Sequence, residues 1–189
     1  MRTFLVISNV MRTDGEFSLK DIPGTSGRAD VIARTVTSAF LTSHGIREDV
    51  ELYVVCLGPP DPPKTIRLIG SELKHLNPDE RTTASLLQKA LRTDPGGSWT
   101  VSTPGIHVRR SGLEIVDNLP KPLFLMSEDG GPFRPEGGTY VLGDHRGLTE
   151  EQIGMMHGKD AIKMSLGPVG LHTDQCVILI HNRSDTGSG

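Results

Sequence analysis

Apolar residues along this chain come in short blocks, separated by polar stretches rich in glycine and proline, and the period within the blocks changes from one to the next. Arg2 to Val10 (RTFLVISNV) is a continuous β-rich run, which predicts a strand entering the core. The polar segment Met11 to Asp21 leads into IPGTSGRAD, where Pro23, Gly24 and Gly27 predict an irregular loop. Ile32, Val36, Ala39 and Phe40 then recur at helical spacing, with Thr25 or Ser26 as the cap. That spacing places Arg28 and Asp30 in the first turn, with Arg34 on the same helix. Asp49 to Leu57 (DVELYVVCL) predicts another strand, closed by the proline-rich GPPDPPK, and Ile66 to Ile69 a short one. Asn77, Pro78, Asp79 and Glu80 form a helix start in which Asn77 caps, and Leu86, Leu87, Ala90 and Leu91 give that helix a buried stripe. The order β, α, β, β, α fits an α/β domain.

Beyond the loop at Asp94 to Trp99, STPGIHVRRSG predicts a loop or hairpin in which His107, Arg109 and Arg110 make the densest basic spot in the chain. Leu123 to Met126 predicts a buried strand with SEDGG turning the chain after it, and Tyr140 to Leu142 predicts another. Thr149 and Gln152 have capping-box spacing for a short helix carrying Ile153 and Met156. Two apolar runs stop at glycine: Tyr140–Val141–Leu142 at Gly143, and Ile162, Met164, Leu166 at Gly167, after which Gly170 keeps the loop open. Strands that end this way leave room for a ligand at their carboxyl ends. The last apolar run, Cys176 to Ile180, fits a buried strand or a buried helix equally by periodicity, and Thr173 and Asp174 in front of it favour helix. Residues 184–189 (SDTGSG) lack apolar content and are expected to be disordered, leaving 1–183 as one domain.

Composition narrows the classes. With 35% hydrophobic and 23% charged residues, no apolar run of membrane-spanning length and no signal-peptide pattern after Met1, the expectation is a cytoplasmic protein without a membrane partner. A net charge of −3 means that a nucleic-acid partner has to be held by a local patch, and 4% aromatic residues argues against a base-stacking platform. Cys56 and Cys176 sit in apolar sequence and read as core residues. The histidines are scattered and none pairs with cysteine at zinc spacing, so no metal is expected. The absence of GxGxxG after a strand disfavours a dinucleotide oxidoreductase.

Taken in order, DIPGTSGRADVIAR, GSELKHLNPDER, STPGIHVRR, LFLMSEDG, VLGDHRG and SLGPVGLHTDQCVILIHN closely resemble the archaeal tRNA pseudouridine-54 N1-methyltransferases of the SPOUT superfamily, over nearly the whole chain. The resemblance implies a SPOUT-type α/β knot, a parallel-rich sheet flanked by helices whose C-terminal helix, containing Cys176 to Ile180, is drawn through a trefoil knot, an exception to the usual unknotted chain. It further implies a homodimer, S-adenosylmethionine as cofactor and tRNA as substrate. Leu125, Gly143 and Cys176 match the family's cofactor positions, and Ser165, Leu166, Gly167, Val169 and Leu171 belong to the loop that wraps the cofactor. The residues themselves agree: the glycines admit close backbone approach, and the leucines and Val169 supply an apolar slot.

Pseudouridine is joined to ribose through carbon, so its N1 carries a proton and is free for alkylation. Transfer then needs in-line positioning, an acceptor for that proton and a group that stabilises charge on the neighbouring carbonyls. Asp30 and Arg28, framed by glycines at a helix start, are the candidates for these two roles. Lys20, Arg34, Arg109 and Arg110 are candidates for phosphate contacts. Asp144 and His145 read equally as an acid/base pair or as a turn beside a surface histidine. Two other readings remain open: a related pseudouridine N1-methyltransferase acting on small-subunit ribosomal RNA, and a non-catalytic RNA-binding protein of the same fold.

Overall fold

The computed structural model describes residues 1–187. Strands β1 (Arg2–Ser8), β4 (Val50–Cys56), β5 (Lys64–Ile69), β6 (Thr100–Thr103), β7 (Ile106–Arg109), β8 (Leu123–Pro132), β9 (Gly138–Gly143) and β10 (Ile162–Ser165) form one sheet. The two-residue strands β2 (Leu41–Thr42) and β3 (Gly45–Ile46) pair separately as a small antiparallel hairpin. Helices α1 (Ile22–Thr25), α2 (Ala29–Phe40), α3 (Glu80–Arg92), α4 (Glu150–His157) and α5 (Thr173–Thr186) complete the chain, with a 3-10 turn at Leu113–Asn118.

The order across the sheet is β10-β8-β9-β1-β4-β5-β7-β6. The five strands from β10 to β4 are mutually parallel, and β5, β7 and β6 extend the sheet antiparallel. Strand β1 lies at the centre, and its Phe4, Leu5, Val6 and Ile7 are all 0% exposed, because both faces of a parallel sheet are covered. Phe4 and Val6 join a core with Ile32, Val36 and Phe40 of α2, Leu87 of α3, and Val177 and Ile180 of α5. Leu5 and Ile7 face a thinner layer made by Val116, Leu119 and Met156. From β1 the chain goes to one side through β4 and returns on the other through β9, and such reversals leave a crevice at the carboxyl ends of the strands.

Several local expectations are met. The capping box of Thr149 and Gln152 opens α4, and Cys176 to Ile180 is helical within α5. Others are corrected. Helix α3 starts at Glu80 and not at Pro78, because the Asp79 carboxylate accepts from Thr82 N–H and displaces Asn77 as cap. Thr25 closes the single turn α1, while Ser26 Oγ accepts from Ala29 N–H at 2.8 Å and Arg28 occupies the cap position of α2 at φ 68°. SEDGG does not end its strand: pairing with β10 shifts register between Lys163 and Met164, so residues 126–130 bulge out and the chain rejoins at Gly131. The cap of α5 is His172 and not Thr173 or Asp174.

The tail expected to be disordered from Ser184 is helical through Thr186, and residues 188–189 lie outside the described residues. What orders it is polar anchoring: Arg2 and Arg47 both pair with Asp185, at 2.5 and 2.7 Å. One turn earlier His181 is buried, with Nε2 donating to the Ala39 carbonyl at 2.9 Å and Nδ1 accepting from Arg2 at 2.6 Å. Burial, with the charges of Arg47 and Arg2, holds this imidazole down to about 4.

Because the folded value lies below the ordinary 6.5, this group's stabilising contribution is complete above pH 6.5 and is lost as pH falls from 6.5 towards 4, by about 3 kcal/mol in full. Urea titrations at stepped pH are expected to show that loss, and His181→Gln, which keeps a donor for Ala39, is expected to flatten it; parallel pH slopes would refute the assignment.

Candidate active site

Residues 125–128 in the middle of β8, the carboxyl end of β9, the loop after β10 and the first turn of α5 enclose a cavity of about 310 Å³. Its walls include Leu125, Leu142, Gly143, Leu166, Leu171 and Cys176, with Gly167 and Val169 in the loop. Each strand end supplies a wall because the apolar run stops there, and glycine is required at one place above all. A Cβ on Gly143 would lie 2.4–2.7 Å from the backbone of Gly147 and Leu148, so only glycine permits the tight return of the chain there. Thr173 Oγ1 donates to the Gly143 carbonyl at 2.7 Å, which stitches the start of α5 to the end of β9.

Seven of the eight expected cofactor positions line the cavity; Ser165 does not, and its place is behind the wall. Ser165 Oγ accepts from Gly167 N–H at 3.0 Å and lies within hydrogen-bond reach of the Glu128 and Gly167 carbonyls, which sets the loop's first bend. Cys176 is half-buried, and burial together with the charges of Glu128 and Asp174 pushes its thiol up to about 11, so it is un-ionised at neutral pH and serves as wall. Cys56 is fully buried in the core. Asp144 also lines the cavity, but its carboxylate accepts from Asn9 N–H (2.7 Å), Arg146 N–H (2.9 Å) and Ser8 Oγ (3.3 Å), which makes it the organiser of a turn. His145 stands 3.9 Å away from it. Among the described residues no three His, Cys, Asp or Glu side chains are grouped so as to hold a metal ion, and no helix is long and apolar enough to cross a membrane.

At the start of α2, Arg28 holds Asp30 bidentately at 2.9 and 3.0 Å, and Arg34 reaches the same carboxylate at 3.1 Å. Arg34 also contacts Glu80 at 3.1 Å and approaches Asp174 of α5 at 3.9 Å, next to the cavity-lining Thr173. The Asp30 side chain is 3% exposed. Burial would raise its pKa, but the hydrogen bonds from Arg28 and then Arg34 prevail and hold it below the ordinary carboxylate range. Asp30 is therefore ionised, a weakened base, and committed through both oxygens. Arg28 is 39% exposed and keeps a face toward solvent, on a backbone in the left-handed region that costs a non-glycine residue on the order of 1 kcal/mol or more.

The four candidates for RNA contact are not brought together. Lys20 is exposed just before α1, and Arg34 is engaged as above. Arg109 and Arg110 lie at the end of β7, five strand positions from β8 and so on the order of 24 Å across the sheet. Arg110 is held by Asp61 at 2.7 and 3.0 Å, and His107 by Glu72 at 3.0 Å. Sequence reasoning missed Glu128, Lys163 and Thr173 as cavity residues. Thr173 had a signal, which was taken for a cap; Glu128 and Lys163 had none, since their approach depends on the shifted pairing of β8 with β10.

Residues 1–188 match the family described as "Putative SAM-dependent RNA methyltransferase". The fold is shared with Nep1 of Archaeoglobus fulgidus, solved bound to S-adenosylhomocysteine, at a TM-score of 0.65 and 16% identity over 97% of this chain and 98% of that one. With the family match covering residues 1–188, this mixed α/β fold is that of an S-adenosylmethionine-dependent RNA methyltransferase. The tRNA (pseudouridine(54)-N(1))-methyltransferases of Methanosarcina mazei and Methanococcus vannielii are 41% and 42% identical to the chain, covering 98% of it and 91% and 98% of their own lengths. The chain belongs to this family.

The cavity fits the cofactor: its volume suits a small ligand, its walls are part apolar and part polar, and Gly143 and Gly167 leave backbone groups open to it. Gly143→Ala is expected to weaken S-adenosylhomocysteine binding in calorimetry by about tenfold or more, since overpacking costs on the order of 1–3 kcal/mol. Gly154→Ala, whose Cβ meets nothing within 4 Å, is expected to leave binding unchanged. Equal affinities in both variants would contradict the role given to Gly143.

Proposed function

We propose that this protein transfers a methyl group from S-adenosylmethionine to N1 of pseudouridine 54 in the TΨC loop of tRNA. The observation that carries the reading is the glycine-cornered cavity walled by β8 and the end of β9, in a chain about 40% identical along its length to proteins named for that reaction. S-adenosylmethionine supplies the activated methyl group. Leu125, Gly143, Leu166, Gly167, Val169, Leu171 and Cys176 form the slot that orients it, with Ser165 fixing the loop.

The target base has to leave its stack to reach the cavity. In this reading Arg28 stabilises the negative charge that grows on the uracil carbonyls as the N1 proton departs. Asp30 orients Arg28, and its proton-accepting role has to compete with two guanidiniums. Lys20, Arg34, Arg109 and Arg110 are the proposed phosphate contacts; the distance of the last two from the cavity requires a substrate as extended as tRNA. Two features inherited from the family resemblance belong to the proposal as well: a trefoil knot around α5, and action as a cytoplasmic homodimer. The apolar side chains of Val169 (69% exposed) and Ile178 (52% exposed), on the closing loop and helix, support the dimer.

The deciding experiment is tritiated methyl transfer onto tRNA transcripts carrying uridine or pseudouridine at position 54, with small-subunit ribosomal RNA alongside and mapping of the product. Label is expected at pseudouridine 54 alone; label only in ribosomal RNA would move the protein to the related activity, and none at all to a binding role. Arg28→Ala and Asp30→Asn are each expected to slow single turnover by about 10²-fold with cofactor affinity kept. A wild-type rate in Asp30→Asn would remove it from the proton transfer. Light scattering on Ile178→Asp is expected to show a monomer where the wild type is a dimer; a dimeric variant would place the interface elsewhere.

A further inference from the structure

Two charged side chains of opposite sign line the cavity and play no part in the chemistry above: Glu128 from β8 and Lys163 from β10. They come together because the register shift between Lys163 and Met164 lets residues 126–130 bulge past the end of β10, with Gly130 packed directly on the Met164 backbone. Glu128 is exposed and makes no ion pair among the described residues. Its Oε1 lies 2.9 Å from where a Cβ on Gly170 would stand, so the carboxylate leans over the closing loop, and its field reaches Cys176. Lys163 Nζ donates to Asp129 at 2.6 Å, but that partner is 74% exposed and the ammonium has two further donors to offer. The remaining walls are of another kind: Leu142 of β9, then Leu148, and Ile153 of α4 are apolar, and Asp144 has its carboxylate occupied by the turn.

One side of the cavity is thus apolar and the other carries one free acid and one available base. The cofactor has the same asymmetry: a flat purine nucleoside joined to an amino acid that is a zwitterion at neutral pH. We propose that Glu128 and Lys163 are specificity-determining residues that recognise the α-ammonium and the α-carboxylate of the cofactor's amino-acid end. This rests on the reading of the cavity as the S-adenosylmethionine site. Recognition by two charges of opposite sign selects the intact amino acid over truncated nucleosides, because a ligand lacking either charge forgoes one charge-assisted hydrogen bond. Gly170 has a stated reason in this scheme, since any side chain there would meet the Glu128 carboxylate.

The test is calorimetric binding of three adenosine thioethers that cannot donate a methyl group: S-adenosylhomocysteine, its decarboxylated analogue, which keeps only the ammonium, and 5′-methylthioadenosine, which has neither charge. Glu128→Gln is expected to weaken the first two by about tenfold, the loss typical of one charge-assisted hydrogen bond, and to leave the third unchanged. Lys163→Met is expected to weaken S-adenosylhomocysteine alone. Thermal unfolding close to wild type confirms that the variants fold; should Lys163→Met fail to do so, Lys163→Gln replaces it. Losses of equal size on all three ligands, or no loss on S-adenosylhomocysteine, would overturn the inference. Failure of the wild-type protein to bind any of the three would instead overturn the cofactor reading beneath it.

Discussion

Helix α5 has to lie across α2 and the end of β9 for the cavity to have a floor, and its own apolar content does not compel that placement. Of its run from Cys176 to Ile180, only Val177 and Ile180 are sealed from water, while Ile178 stays half exposed. Polar contacts define the rest: Thr173 to the Gly143 carbonyl at one end, His181 to Ala39 and Arg2 in the middle, and Asp185 between Arg2 and Arg47 at the other. A short hydrogen bond to a strand-end carbonyl is directional where hydrophobic burial is not, so Thr173 sets the helix's position along its axis. The cavity-lining loop between β10 and α5 is then held at both ends, by Ser165 and by Thr173.

The same helix ties the cavity to the charged cluster on α2. Arg34 is shared among Asp30, Glu80 and Asp174, which belong to α2, α3 and α5. An almost fully buried carboxylate is tolerated in this position only because two guanidiniums satisfy both of its oxygens, and removing either would leave uncompensated charge. The cost of that arrangement falls on basicity: the contacts that keep Asp30 ionised also make it a poorer proton acceptor. Arg28 is anchored on one side by Asp30 and open to solvent on the other.

Most elements of the fold were legible because their signals are local. The continuous apolar run of β1, the helical stripe of α2 and the capping box of α4 each need no knowledge of neighbours. The helix boundary at Asp79 was not legible, since Asn77 and Asp79 are both competent caps and only the structure decides which carboxamide or carboxylate meets a free N–H. Nor was the helical order of Ser184 to Thr186: the stretch has no apolar residue to bury, and the arginines that capture Asp185 lie far off in sequence, in β1 and just after the hairpin that follows α2. The loop that lines the cavity after β10 was visible as glycines after apolar runs.

By itself, then, the sequence determined which stretches are strands and helices, where the chain turns sharply enough to need glycine, and, through its motifs, the family. Tertiary structure alone decided which charges are free to act. Arg110 and His107 looked like an open basic patch and are already paired across the sheet with Asp61 and Glu72, while Glu128 and Lys163 looked like ordinary polar residues and line the cavity. The reason is physical: backbone preference and hydrophobic period are properties of neighbours along the chain, whereas the availability of a charge depends on which counter-charge folding brings within a few ångströms.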